Sequence, residues 1–228
     1  MLGFLGLALN APSSALPPEA SVRMFDPATP YLNEGQSEQA FQGWLQASPA
    51  RASRVATFEA YLEARGVGSV FPSWQLLRTA SSWRDCGAAP FEVPPRQSWD
   101  ELVETLDLVR DVVIPNLGQV EPLSGYRNPY LNNCAGGSRA SAHRGGAALD
   151  LVPVIQIERV DLMRRLCILH GAYGREREFG LGVYAGIRFH VDASGYRSWG
   201  LNVAEGGRAC EWALERRESA RVESDEVD

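Results

Sequence analysis

The chain has 228 residues, enough for one domain with a full core and a small helical unit in front of it. Its 45% hydrophobic and 22% charged residues are ordinary for a soluble globular protein. A formal net charge of −6 argues against nucleic acid as a partner, because phosphate binding needs a basic face.

The start, MLGFLGLALNAPSSALPPEA, carries a short apolar run from Leu2 to Leu9, then small residues with a Ser13-x-Ala15 pattern of the kind that precedes signal cleavage. It lacks a positive leading region, so it reads as an atypical or clipped export signal. No other run is apolar over a length that spans a bilayer. Residues 12–36, rich in Pro, Ser, Ala and Glu, read as a linker. A helix is predicted over Ser37–Ala47. A second starts with Ser48 as its cap and Pro49 at its first position, and stops at Gly66. Residues 67–97 read as irregular. Ser98-x-x-Glu101 has the form of a capping box, opening an amphipathic helix that ends before Pro115.

The pattern then becomes mixed. QVEPLSGYR reads as a strand, NPYLNNCA as a short helix, AALDLVPV as a strand, and IERVDLMRRLCILHG as a helix stopped by Gly171. LGVYAGIRFHVD alternates like a hairpin around Ala185-Gly186. ACEWALERR reads as a last helix. The acidic tail from Glu215 reads as disordered. SGYR occurs twice, at 124–127 and 194–197, without matching flanks, and reads as coincidence. The order of elements points to an α+β fold: a small antiparallel or mixed sheet flanked by helices, with an N-terminal helical extension. The expected layout is a signal-like segment and linker over 1–36, the extension over 37–97, the main domain over 98–214, and the tail over 215–228.

Four cysteines, Cys86, Cys134, Cys167 and Cys210, have no zinc-finger spacing. The count fits either buried thiols in a cytosolic protein or two disulfides in an exported one, with three possible pairings. The export-like start favours disulfides, and Cys86–Cys134 with Cys167–Cys210 is the preferred pairing.

Only three histidines are present. On the predicted strand RFHVD, His190 and Asp192 share one face, and Phe189 and Val191 take the opposite, buried one. His143 precedes Asp150 by seven residues, and the small residues between them let the loop fold the imidazole back over the strand. His143, Asp150 and His190 together make a three-ligand zinc site with a fourth position for water. The plainer alternatives are satisfied core or surface histidines and a His-x-Asp hydrogen-bonded pair. His170 falls near a helix C-terminus, where the helix dipole favours it.

The stretch SGYRNPYLNNCAGGSRASAHRGGAALDL followed by GLGVYAGIRFHVDASGYRSW resembles the zinc D-alanyl-D-alanine carboxypeptidase family. That family also holds vancomycin-resistance dipeptidases, phage endolysins, murein endopeptidases and the zinc-bearing Hedgehog domain. The shared elements run from Ser124 to Trp199, about a third of the chain; the first 120 or so residues show none. The resemblance implies that His143, Asp150 and His190 hold zinc, that Arg127 stands near the substrate and its polarised carbonyl, and that Ser141 helps hold the substrate. Otherwise Arg127 is a salt-bridge partner and Ser141 a loop hydroxyl.

Where many relatives place an acid three residues before the last zinc histidine, this chain has Ile187. Asp192 then becomes the candidate general base, with an orienting role for Asp192, or Glu176 or Glu178 as the base, left as alternatives. The resemblance implies hydrolysis of peptide bonds next to D-centres in peptidoglycan, in a periplasmic or secreted location. A non-catalytic, zinc-stabilised cell-wall-binding module and a cytosolic dipeptidase are the rival readings. Carboxypeptidase and endopeptidase are not distinguished, and the sequence leaves the oligomeric state open.

Overall fold

The computed structural model of the protein describes residues 26–200 and Cys210. The signal-like start, the helix expected over 209–217 and the acidic tail lie outside these residues, Cys210 apart. Helix α1 (Glu38–Gln46) and helix α2 (Pro49–Ala64) begin as their sequences predict. Ser37 and Ser48 each accept a hydrogen bond from the backbone N–H three residues on, and Pro49 fills the first position of α2. α2 closes in a Schellman arrangement: Val67 N–H donates to Leu62 O, Gly66 N–H donates to Glu63 O, and Gly66 takes the required positive φ of 74°.

Residues 67–97 hold a short helix α3 (Ser73–Leu76) and an isolated bridge between Arg78 and Phe91. Next comes α4 (Trp99–Leu108), and here the expected capping box is not formed. Ser98 is already helical at φ −92° and its side chain caps nothing, because a 3-10 turn over Arg96–Ser98 feeds directly into the helix. The helix also does not end before Pro115. A π-turn over Val109–Val113 widens the coil and sends the Ile114 N–H back to Val109 O. Pro115 then sits in the first turn of α5 (Ile114–Leu117), directly after the π-turn, and the coil passes through it.

Strand β1 (Val120–Ser124), helix α6 (Pro129–Cys134), strand β2 (Ala148–Pro153), helix α7 (Arg159–Tyr173) and the hairpin of β3 (Gly180–Val183) and β4 (Phe189–Asp192) follow the expected order. α7 runs past Gly171, which has no positive φ, and ends at Gly174, where the ring of Tyr196 occupies the space a Cβ would need. The sequence did not foretell β5 (Arg197–Trp199): three partly exposed residues give no alternation to read. The sheet order is β1-β2-β4-β3-β5, antiparallel except for the parallel pair β3/β5. The fold is thus α+β, a five-stranded mixed sheet flanked by helices.

One apolar cluster runs from Phe41 and Phe58 through Leu106 to Leu149, Phe189 and Val191, so the helical extension and the sheet share a core. Each such fully buried side chain stabilises by about 1.5–3 kcal/mol. Thr105 ties α4 to the residues flanking β2 and β4, donating to Ala147 O at 2.7 Å and accepting from Ala193 N–H at 3.2 Å. Disulfides join Cys86 to Cys134 and Cys167 to Cys210, the preferred pairing. They fit an extracellular or secreted protein. Among the described residues no helix is long and apolar enough to cross a membrane.

Arg78 is the polar anchor of the extension. It is 2% exposed, and it donates to Gln36 O at 3.0 Å, to Pro122 O at 2.7 Å and to Glu121 at 2.7 Å. Burial pushes its guanidinium pKa down, and Glu121 opposes that shift. Arg78→Ala would strand these acceptors and leave Glu121 unpaired. We expect it to lower unfolding stability by about 3–5 kcal/mol, read from the urea midpoint, with Glu121→Gln costing less.

Candidate metal centre

A single row of residues crosses the whole sheet: Ser124 on β1, Asp150 on β2, His190 on β4, Gly182 on β3 and Trp199 on β5. Strand alternation puts Asp150 and His190 side by side on one face. His143 comes from outside the sheet, on a 3-10 turn over Ala142–Arg144, and its ring swings onto the same spot. His143 Nε2, Asp150 Oδ1 and His190 Nδ1 form a triangle with sides of 3.1, 3.2 and 3.3 Å. All three residues are buried.

This triangle fits a metal ion. Donors held at about 2.0–2.2 Å from a tetrahedral ion must stand roughly 3.3–3.5 Å apart, close to the observed sides. The remaining ring nitrogens are also committed. His143 Nδ1 donates to Gly125 O at 2.7 Å, so the lone pair of Nε2 faces the triangle. His190 Nε2 donates to Asp192 Oδ2 at 2.7 Å and turns Nδ1 inward. Two imidazole lone pairs and a carboxylate converging on one point repel unless a cation or a proton sits among them.

The charges agree with that reading. Burial drives the His143 pKa down to about 4, helped by Arg127, so the ring is a neutral donor. Burial alone would raise Asp150, but His143, His190 and Arg127 outweigh it and hold the carboxyl well below its usual range. Burial opposes protonation of His190 too, yet the bonds to Asp150 and Asp192 prevail and its pKa is raised.

The predicted residues divide into two groups. Arg127 belongs to the centre, with Nη2 3.4 Å from Asp150 Oδ2. Ser141 lines the cleft above it. Asp192, expected as the base for the metal's water, is not placed for that role. It is 0% exposed and lies behind His190, on the ring edge away from the triangle, where Arg197 holds the same Oδ2 at 2.7 Å and Ser194 N–H holds Oδ1 at 2.9 Å. It orients His190, as carboxylates behind metal-binding imidazoles do. Glu176 and Glu178 are exposed and line no part of the cleft. His170 is separate: its Nε2 reaches Phe179 O at 3.0 Å and Arg197 O at 3.1 Å, fastening α7 to the sheet.

Sequence reasoning missed Arg197, Tyr184 and Trp199. The duplicated SGYR was the available signal for Arg197: Arg127 pairs with Asp150 and Arg197 with Asp192, so each copy delivers an arginine to one carboxylate of the site. The glycines of GLG make room for the other neighbours. A Cβ on Gly182 would lie 2.6 Å from the Trp199 ring and 2.9 Å from His190 Cβ, and one on Gly180 would strike the Asp192 carboxylate. The centre opens into a cleft of about 600 Å³. Tyr31, Ser81 and Ser82 form part of its lining, with Arg127, Ser141, Tyr184 and Arg188. Among the described residues Asp150 is the sole acid lining it.

The purified protein should bind about one equivalent of a divalent transition metal. His143→Ala or His190→Ala should abolish that binding, whereas His170→Ala should leave it intact; metal analysis after dialysis decides. Asp192→Asn should keep the three ligands but weaken the metal about 10–100-fold in a chelator competition, since it changes the group that orients His190 and weakens the ion pair with Arg197. Comparison of the chain with protein-family models, with curated proteins and with solved structures found no match.

Proposed function

We propose that the protein is a zinc-dependent peptidase that hydrolyses amide bonds next to D-amino acids in peptidoglycan stem peptides or cross-links, in the periplasm or outside the cell. The observation that carries this reading is the buried His143–Asp150–His190 triangle opening onto a cleft beside Arg127. The resemblance of Ser124–Trp199 to zinc D-alanyl-D-alanine carboxypeptidases supports it, and so do the disulfides.

The chain's own residues divide the work. His143, Asp150 and His190 would hold zinc, whose chemistry is to polarise a carbonyl and lower the pKa of water to about 7. Gly125 O and Asp192 fix the tautomer and aim of the two rings. Arg127 stands at the rim of the triangle, where its guanidinium can donate to a peptide carbonyl and to the charge that develops on that oxygen. Ser141 offers a hydroxyl to the substrate from the adjoining wall. Burial, with the Asp150 charge behind it, raises the Tyr184 pKa, so its phenol stays a proton donor.

A second reading, a metal-stabilised cell-wall-binding module without catalysis, draws on one observation. No carboxylate other than the ligand Asp150 lines the cleft among the described residues. Digestion of purified sacculi with the zinc-loaded protein separates the two. The peptidase reading expects shortened stem peptides or opened cross-links, and Arg127→Ala should lower kcat/KM by about 100–1000-fold with zinc still bound. Sacculus binding without released fragments, unaffected by Arg127→Ala, would establish the module instead.

A further inference from the structure

We propose that Arg188 is the residue that recognises a free carboxylate on the substrate, an inference that rests on the peptidase reading of the cleft. Arg188 precedes His190 by two residues and therefore projects from the same face of the sheet, roughly 7 Å further along the strand direction. The pairing of the hairpin extends to it, since Tyr184 N–H donates to Arg188 O at 3.1 Å. Its guanidinium lies over the Tyr184 ring, 4.6 Å from the centroid, and that ring stands perpendicular to the His190 ring with 6.5 Å between centroids.

The three arginines lining the cleft are not equivalent. Arg127 is engaged with Asp150 and Arg197 with Asp192. Arg188 forms no ion pair among the described residues, which sets it apart from the other two, and its Nε, like that of Arg127, is buried without a hydrogen-bond partner. A half-buried guanidinium with an unfilled donor suits a carboxylate from outside, because its planar fork matches the two oxygens of that group. The surrounding charge favours the same ligand: three arginines face the cleft against one acid, and that acid is a proposed metal ligand.

The position is also held firmly. Tyr31 Oη accepts the Ile187 N–H at 2.9 Å and fills the space beside Gly186, whose φ is +66°. From the other side Arg159 Nη1 donates to the carbonyls of Tyr184 and Gly186. Arg188 thus stands on a hairpin clamped at its tip, between the main cleft and a recess of about 360 Å³ that shares Tyr31, Ser81 and Ser82 with it. The acid lining that recess, Asp85, is exposed and forms no ion pair with Arg188. A group fixed in this way recognises its ligand with little ordering cost. The carboxylate is either the C-terminus of the peptide or a side chain of a neighbouring residue; the chemistry at Arg188 is the same.

The test uses the zinc-loaded full chain and three probes: N-acetyl-D-alanyl-D-alanine, its C-terminal amide, and an amidated peptide with a D-glutamyl side-chain carboxylate. Binding is measured by calorimetry, and turnover is measured separately. The wild type should bind a carboxylate-bearing probe about tenfold or more tightly than the plain amide. Arg188→Gln should remove that preference while leaving affinity for the amide, zinc content and melting temperature unchanged, and Arg188→Lys should restore part of it. Whichever acidic probe shows the preference identifies the source of the carboxylate. Equal binding of acids and amide by the wild type, an equal loss for all probes in Arg188→Gln, or no binding at all would overturn the assignment. Discrimination without hydrolysis would remove the peptidase reading and keep the carboxylate site; hydrolysis without discrimination would do the reverse.

Discussion

Two imidazole nitrogens and a carboxylate oxygen held 3.1–3.3 Å apart, away from water, are the constraint on which the rest of the structure depends. Left to themselves these acceptors would turn apart and find donors elsewhere. They cannot, because each is pinned from behind: His143 by Gly125 O, His190 by Asp192, and Asp150 by its place in the middle of β2. The frame has also chosen where charge goes. Burial, with Arg127 nearby, drives His143 neutral, whereas the bonds of His190 to two carboxylates outweigh its burial and it holds a proton more readily. A divalent cation answers the same demand more fully than a proton, since it can accept all three donors at once.

Holding that geometry shapes the sheet. The strands must keep one register across the row from Ser124 to Trp199, so that β2 and β4 present their ligands directly opposite each other. The space above β3 is then needed for other things. Gly182 leaves it to Trp199, which packs on the His190 ring at 4.8 Å between centroids, and Gly180 leaves it to the Asp192 carboxylate. A glycine-rich strand is ordinarily a weak one. Here it is covered by the parallel strand β5, itself fastened by His170 and by the Arg197–Asp192 pair.

Much of this was legible, for identifiable reasons. Cap residues act locally, so Ser37, Ser48, Pro49 and Gly66 could be read without knowing the fold. The period of two in RFHVD correctly separated the core-facing Phe189 and Val191 from His190 and Asp192. It could not reveal that both faces are covered, which left Asp192 looking free to reach a metal. Nor could it tell the two nitrogens of His190 apart, and the role of Asp192 turns on that distinction: it touches Nε2, while Nδ1 faces the triangle. Pro115 and Gly171 misled because their breaking tendencies were overruled by a π-turn and by packing at Gly174. β5 stayed invisible because its three residues are defined by what they pair with, not by their own pattern.

The part of the chain without motif resemblance contributes directly to the centre. The Arg78 carbonyl accepts the Gly125 N–H at 2.8 Å, and the Gly125 carbonyl in turn receives the proton of His143 Nδ1. A Cβ on Gly125 would lie 2.5 Å from Leu76 O, so the glycine of SGYR is required by the extension's close approach. The aim of one metal ligand therefore depends on residues 76–78. Tyr31, Ser81 and Ser82 supply one wall of the cleft as well. The ligands set what chemistry the centre can perform, and the extension helps set what can reach it. A domain carrying only Ser124–Trp199 would keep the donor atoms but lose both the support of His143 and the wall facing Arg188.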